Sequence, residues 1–305
     1  MPRLIDQEGF MIEDRLFSAK CADLHLHTNF SDGTFSPEQV VMEADRLGFA
    51  AIAITDHDIL DGIQPALSAG EQYGVEVIPG VELSAESSGE EVHILGFYID
   101  WRDQQFQQKL QEFRESRRIR AMRMVDKLNQ LGMDIEYRDV LKRADSTSIG
   151  RPHVAAALVE RGHVATVSEA FYRFLGDSGP AYMPKQKLSP AEAITMILGV
   201  GGIPVLAHPG ILQQDIVSEL VSFGLMGLEA FHPYHTVGTR HDVSLSDYYC
   251  HLAEEHNLLI TGGSDCHGQG KGKMAMGSVR LPYEHVDALK EAKKAILQKL
   301  EPASD

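Results

Sequence analysis

The sequence predicts an α/β fold of barrel type, and three observations lead there. Short apolar runs of β character recur: "ADLHLH", "AAIAIT", "VEVIPGVEL", "EVHILGFYI", "GIPVLAH", "GLMGLEAF" and "NLLITGGSD". Several are separated by segments with explicit helix start and stop signals, the pattern of parallel β/α units. The 305 residues leave one large barrel or two smaller domains as the choices. Acidic and imidazole side chains at the ends of strand after strand favour the barrel, whose C-terminal strand ends share one mouth.

Taken in order, the first run places Asp23, His25 and His27 on one face and Leu24 and Leu26 on the other, because successive side chains of a strand alternate. A helix follows over "SPEQVVMEADRLG", with Ser36 as N-cap, Pro37 at the first helical position, Gln39 closing a capping box and Gly48 as the stop. "AAIAIT" runs on to His57, "VEVIPGVEL" carries Glu82, and "EVHILGFYI" carries His93.

Between about Trp101 and Lys185 the β-type runs give way to helical spacing. Phe106, Leu110, Phe113, Met124, Leu128 and Leu131 fall at three- and four-residue steps, ending at Gly132, and helical segments continue through "RPHVAAALVERG" and "SEAFYRFLG". This predicts a helical insertion subdomain over 101–185 within a discontinuous barrel of 20–100 and 186–290. Its Arg114, Arg117, Arg118, Arg120 and Arg123 could face a polyanion, but a solvated face balanced by Glu112, Glu115 and Asp126 is the expected arrangement. The helix grammar returns at Ser189, Pro190, Glu192 and Gly199; the remaining strands end in His208 and in Asp265 and His267.

A formal charge of -16 argues against a broad nucleic-acid-binding face and hence against duplex partners. No apolar run approaches the roughly 20 residues of a membrane span, and the N-terminus lacks the apolar core of a secretory signal, so a cytoplasmic location is expected. Cys21, Cys250 and Cys266 form no paired framework, which fits reduced thiols. Fourteen histidines are the compositional oddity, since imidazole is the commonest metal ligand.

Nine potential ligands stand out: His25, His27, Asp32, His57, Glu82, His93, His208, Asp265 and His267. In a barrel they would meet at the mouth. Imidazole and carboxylate without thiolate suit Zn, Mn or Fe, and nine ligands exceed what one tetrahedral ion needs, so more than one metal is expected. Glu82 is the residue suited to bridging. Strand alternation turns Cys266 away, toward packing. Asp23 is expected to orient an imidazole. Asp58 is either a similar orienting group or a loop cap.

The ordered motifs "DLHLHTNFSDGTFSP", "AITDHD", "GVELS", "HILGF", "AHPG" and "GGSDCHG" resemble those of the PHP (polymerase and histidinol phosphatase) family, from about Cys21 to Arg280. The resemblance implies a distorted seven-fold β/α barrel with a trinuclear metal centre. His25, His27, Glu82 and Asp265 would hold one ion; Glu82 would bridge to a second, held also by His93 and His208; Asp32, His57 and His267 would hold the third. Many members have histidine where this chain has Asp32, and the aspartate form resembles the branch acting on nucleotide phosphates. "IGRPHVAAALVERG" resembles the segment that sets an arginine and a histidine, here Arg151 and His153, over the bound phosphate. Lys185 is a further phosphate candidate. In "EAFHPYHT", His235 matches a position near the phosphate, while His232 is read as packing.

The activity so implied is metal-assisted hydrolysis of a phosphate monoester by activated hydroxide, with Arg151 stabilising transition-state charge and either His235 or His153 donating the proton to the leaving alkoxide. The implied substrate is a small nucleotide carrying 3′ and 5′ phosphates, losing the 3′ one. Alternatives are 5′-to-3′ exoribonuclease action on short RNA, a histidinol phosphatase, a metal-stabilised binding module and a metal sensor.

Overall fold

The computed structural model describes residues 20–142, 149–184, 188–212, 216–233, 243–269 and 275–300. Its strands are β1 (Cys21–Leu26), β2 (Ala51–Ile54), β3 (Glu76–Ser87), β4 (Glu90–Phe97), β5 (Ile203–Leu206), β6 (Gly227–Phe231), β7 (Leu259–Gly262) and the short β8 (Leu281–Pro282). They form one sheet in the order β7-β6-β5-β4-β3-β2-β1-β8. The sheet curls until its ends nearly meet: Leu26 bridges to Cys266, and the His27 N–H donates to the Cys266 carbonyl at 3.0 Å. The result is a nearly closed, mixed barrel.

Strands β1, β2 and β3 run parallel, as do β5, β6 and β7. The uniform parallel pattern expected from the sequence breaks at β4, which is antiparallel to both neighbours, and at β8, antiparallel to β1. The cause at β4 is local. Ser87 pairs with Glu90 across a two-residue loop, Ser88 and Gly89, whose φ angles of 51° and 89° are both left-handed. Such a loop makes a hairpin; a parallel return needs a dozen or more residues.

Helices α1 (Pro37–Arg46) and α2 (Ile63–Tyr73) cover the first strands, α7 (Pro190–Gly199) and α8 (Val217–Ser222) the middle ones, and α9 (Val243–Glu255) and α10 (Glu284–Leu300) the last. The predicted capping boxes are present in both cases, Ser36 with Gln39 and Ser189 with Glu192. Between β4 and β5 stand α3 (Gln104–Gln130), α4 (Tyr137–Leu141), α5 (Arg151–Glu160) and α6 (Val167–Ala170).

Helix α3 joins two apolar clusters. Phe106 and Leu110 pack with barrel residues such as Leu83, Ile94 and Leu206, whereas Ala121, Met124 and Leu128 pack with Val154, Leu158 and Leu175 of the helical layer. The expected solvated arginine face is corrected here. Arg114 donates to the Asp58 carbonyl at 2.7 Å, Arg117 pairs with the buried Asp58 carboxylate, and Arg120 Nε donates to the Met183 carbonyl at 2.8 Å. A spacing of three puts these residues on one helical face, and that face lies over the barrel mouth. Arg118 behaves as expected, pairing with Glu115 at 3.2 Å with both side chains about half exposed. Among the described residues, no helix is long and apolar enough to cross a membrane.

Candidate metal centre

The pleat of β1 directs His25 and His27 into the same space, their ring centroids 5.1 Å apart. Both are fully buried, as is Glu82 from β3. The Glu82 carboxylate is the hub. Its Oε2 lies 3.2 Å from His25 Nε2, His27 Nε2 and His57 Nδ1. Its Oε1 lies 2.7 Å from His93 Nδ1 and 3.2 Å from His208 Nε2. Asp265 Oδ1 approaches His27 Nε2 at 3.0 Å and His25 Nε2 at 3.5 Å, and Asp32 Oδ2 approaches His267 Nε2 at 3.2 Å. All nine residues singled out from the sequence therefore meet.

Their grouping differs slightly from the one the resemblance implied. Donor atoms of His25, His27, Glu82 and Asp265 lie within 4.8 Å of one another, as do those of His27, Asp32, His57 and His267, and those of His57, Glu82 and His93. His57 thus joins Glu82 and His93, while His208 keeps contact with Glu82 Oε1.

Local backbone explains how loop residues reach the centre. Gly263 passes so close to β1 that a Cβ there would sit 2.4 Å from the His25 nitrogen and Cβ, so only glycine lets the chain deliver Asp265. His208 and Asp265 are themselves left-handed, with φ of 29° and 50°. Non-glycine residues in this region cost on the order of 1–3 kcal/mol each and cluster at functional sites.

The donors fit metal cations. His27 Nε2, His57 Nδ1 and His93 Nδ1 sit within 3.2 Å of carboxylate oxygens, yet none makes an aligned hydrogen bond. Buried polar atoms left this way cost about 1–3 kcal/mol apiece, a debt that several cations between ring nitrogens and carboxylates would remove. Charges are arranged accordingly. Burial opposes a charged ring at His27 and His93, but Asp265 and Glu82 for the first, and Glu82 for the second, outweigh it and push both up to about 10. Burial instead holds His57 down to about 4. Against burial, the surrounding imidazoles keep Glu82, Asp265 and Asp32 well below the usual carboxylate range. Without metal, protons on imidazole occupy the role of cations.

Sequence reasoning missed Glu229. This fully buried carboxylate on β6 accepts from His25 Nδ1 at 2.9 Å through Oε1 and from the His208 N–H at 2.8 Å through Oε2. Holding the His25 proton on Nδ1 leaves the Nε2 lone pair for the centre. The signal was available: an acid inside the apolar run "GLMGLEAF" must be paired if it is buried. His232, read as packing, belongs to the same polar network, 3.6 Å from Glu229, with burial holding its pKa near 4. Glu229→Gln is expected to fold but to hold metal about 10–100-fold more weakly; chelator competition measures this, and unchanged affinity would remove the positioning role.

Other assignments change too. Among the described residues, Asp23 bonds backbone and not an imidazole ring: its Oδ1 accepts the Ser264 N–H at 2.8 Å and the His25 N–H at 3.5 Å, which anchors the loop before Asp265, and burial raises its pKa to about 6. Asp58 is the loop cap of the two readings, accepting the Ser84 N–H at 3.2 Å. Asp56, also overlooked, accepts from the Thr28 N–H and hydroxyl at 2.7 Å each and fixes the loop that carries Asp32. Cys266 packs among Leu26, Val40 and Ile52, and all three cysteines are free.

A cavity of about 510 Å³ opens beside the centre, lined by Asp32, His57 and His93 of the donor set, by Arg117, Arg120 and Arg151, and by the acids Glu86, Glu91 and Asp177. Arg151, at the start of α5, donates to Asp177 at 2.7 Å and lies 5.6 Å from the Phe171 ring and 5.7 Å from that of Tyr182. His153 also lines it, and its Nδ1 accepts the Gly150 N–H at 3.0 Å, which places the ring proton on Nε2. Lys185 and His235 lie outside the described residues.

A model of the PHP domain matches residues 23–150. Over 268 residues the chain is 33% identical to the phosphoribosyl 1,2-cyclic phosphate 1,2-diphosphodiesterase of Eggerthella lenta, covering 85% of this chain and 98% of that protein. It is 31% identical over 262 residues to the 3′,5′-nucleoside bisphosphate phosphatase of Chromobacterium violaceum, covering 84% and 90%. Among solved structures it resembles a candidate metal-dependent phosphoesterase of Bifidobacterium adolescentis, with TM-score 0.71, 33% identity, and coverage of 89% of this chain and 96% of that one.

Proposed function

Because the chain belongs to the PHP family, we propose that this metal-dependent phosphoesterase hydrolyses phosphate monoesters of small nucleotides, most specifically the 3′-phosphate of 3′,5′-nucleotide bisphosphates. One observation carries the reading: the cluster of convergent metal donors opens, through Asp32, His57 and His93, onto a cavity that Arg117, Arg120 and Arg151 also line. The proposed cofactors are three divalent transition-metal ions, Mn, Fe or Zn. His25, His27, Glu82 and Asp265 would hold one, Glu82, His93 and His208 a second, and Asp32, His57 and His267 the third. Bound there, such ions supply Lewis acidity toward phosphoryl oxygens and a water of lowered pKa.

The rest falls to the chain. Arg151 can reorient from exposed Asp177 to the phosphate, where its planar fork makes paired charge-assisted hydrogen bonds. His153 presents Nε2–H to the same cavity, suited to bonding a phosphoryl oxygen or protonating the leaving alkoxide. His235 competes for the proton-donor role, and Lys185 for phosphate contact. The residues of 101–185 act as a helical subdomain closing over the barrel, with the Arg117–Asp58 pair clasping α3 to the loop that bears His57. Three guanidinium groups at one cavity of a chain whose formal charge is -16 favour a small anion there over a duplex.

The test is orthophosphate release from adenosine 3′,5′-bisphosphate by metal-loaded protein, with 5′-AMP as the second product. Inactivity there, combined with turnover of short 5′-phosphorylated RNA, histidinol phosphate or a ribose cyclic phosphate, would reassign the substrate. No turnover of any of them would point to a binding module.

A further inference from the structure

We propose that Arg120 is a specificity residue that grips the second, non-reacting phosphate of a doubly phosphorylated substrate, an inference that rests on the phosphoesterase reading above. Three guanidinium groups face the cavity, and they differ in how each is neutralised. Arg117, 13% exposed, is paired with Asp58 and so committed to holding α3 on the barrel. Arg151 is paired with a solvent-exposed aspartate that a phosphate can replace. Arg120 has no carboxylate within ion-pair distance among the described residues; its one recorded bond runs from Nε to the Met183 carbonyl at 2.8 Å. That bond orients the fork and leaves both terminal nitrogens as donors.

Position separates Arg120 from the chemistry. Arg117 and Arg120 are three residues apart, about 4.5 Å along the helix axis, and the direction from 117 to 120 leads away from the barrel cluster that holds Phe106 and Leu110 toward the helical cluster of Ala121 and Met124. Arg120 therefore sits on the outer side of the cavity, beyond the arginine that touches the His57 loop. Burial and the nearby Arg151 charge both disfavour its charged form. Of the acids that line the cavity beside them, Asp177 pairs with Arg151, while Glu86 acts on Arg120 without an ion pair to it, so the two guanidinium groups make a site for an anion distinct from the one over the metal donors. A nucleotide with phosphates on both sides of the ribose would fill both.

The competing explanation is that Arg120 only clips residues 182–183 to α3, as Lys127 does through its 2.9 Å bond to the Tyr182 carbonyl. Substrates differing in one phosphate separate the two roles. With metal-loaded protein, Arg120→Ala is expected to raise KM for adenosine 3′,5′-bisphosphate and the inhibition constant of 5′-AMP about ten- to hundredfold. The wild-type preference for the bisphosphate over 3′-AMP, in kcat/KM, should fall by a similar factor, with Arg120→Lys restoring part of it and thermal midpoints matching wild type. Equal losses on both substrates, or none, in an active enzyme would overturn this assignment alone. Wild-type inactivity on both would remove the nucleotide reading itself, and this inference with it.

Discussion

Glu82→Gln is expected to yield a folded protein that loses bound metal and at least roughly a thousandfold in kcat/KM, a larger effect than any other single substitution at the centre. The reason is its contact list. One carboxylate faces five imidazoles, with Oε2 on His25, His27 and His57 and Oε1 on His93 and His208. An amide of the same shape keeps one acceptor oxygen, presents a donor in place of the other, and carries no charge. It can neither bridge cations nor balance the rings. Elemental analysis beside kinetics checks the claim: full metal occupancy with near-normal turnover would show that the bridge lies elsewhere.

The second large effect concerns pH in the metal-free protein. His27 and His93 titrate near 10, and His25 is also raised well above its ordinary value by Glu229, Glu82 and Asp265 against the opposing burial. Raised pKa values mean that the folded state binds these protons more tightly than the unfolded chain, whose histidines titrate near 6.5. The resulting stability is complete below about 6.5 and is lost as pH rises through about 10. Metal-free protein should therefore lose several degrees of melting temperature between pH 7 and 10, while metal-loaded protein, whose rings are already deprotonated, should not. The same linkage requires proton release on metal loading near neutrality and tighter binding at higher pH. Calorimetry in buffers of different ionisation enthalpy counts the protons, and a count of zero would contradict the arrangement.

The centre was legible because its donors interrupt apolar runs. Imidazoles at alternate positions of β1 and single polar groups at successive strand ends leave few arrangements other than convergence on one mouth. Glu229 carried the same signal and was overlooked because its strand also reads as ordinary barrel filling. Asp23 was misassigned since alternation states which face a side chain occupies, not whether a backbone N–H or a ring reaches it first. The direction of β4 was hidden for a different reason: "EVHILGFYI" has the same pattern either way, and only the Ser88–Gly89 turn distinguishes hairpin from crossover. Arg114, Arg117 and Arg120 share a segment with Glu112, Glu115 and Asp126, which suggests mutual balance, whereas the helix sends the three to one side and Glu115 to another.

His208 and Asp265 hold their positions in a backbone region that suits glycine or asparagine. An effort to make this protein more heat-resistant by relieving such positions would be drawn to these two sites, and each success would delete a donor atom from the centre. Directed selection for thermostability alone should therefore drift toward inert variants, whereas selection under limiting metal should keep both residues and seek its gains in the outer helices.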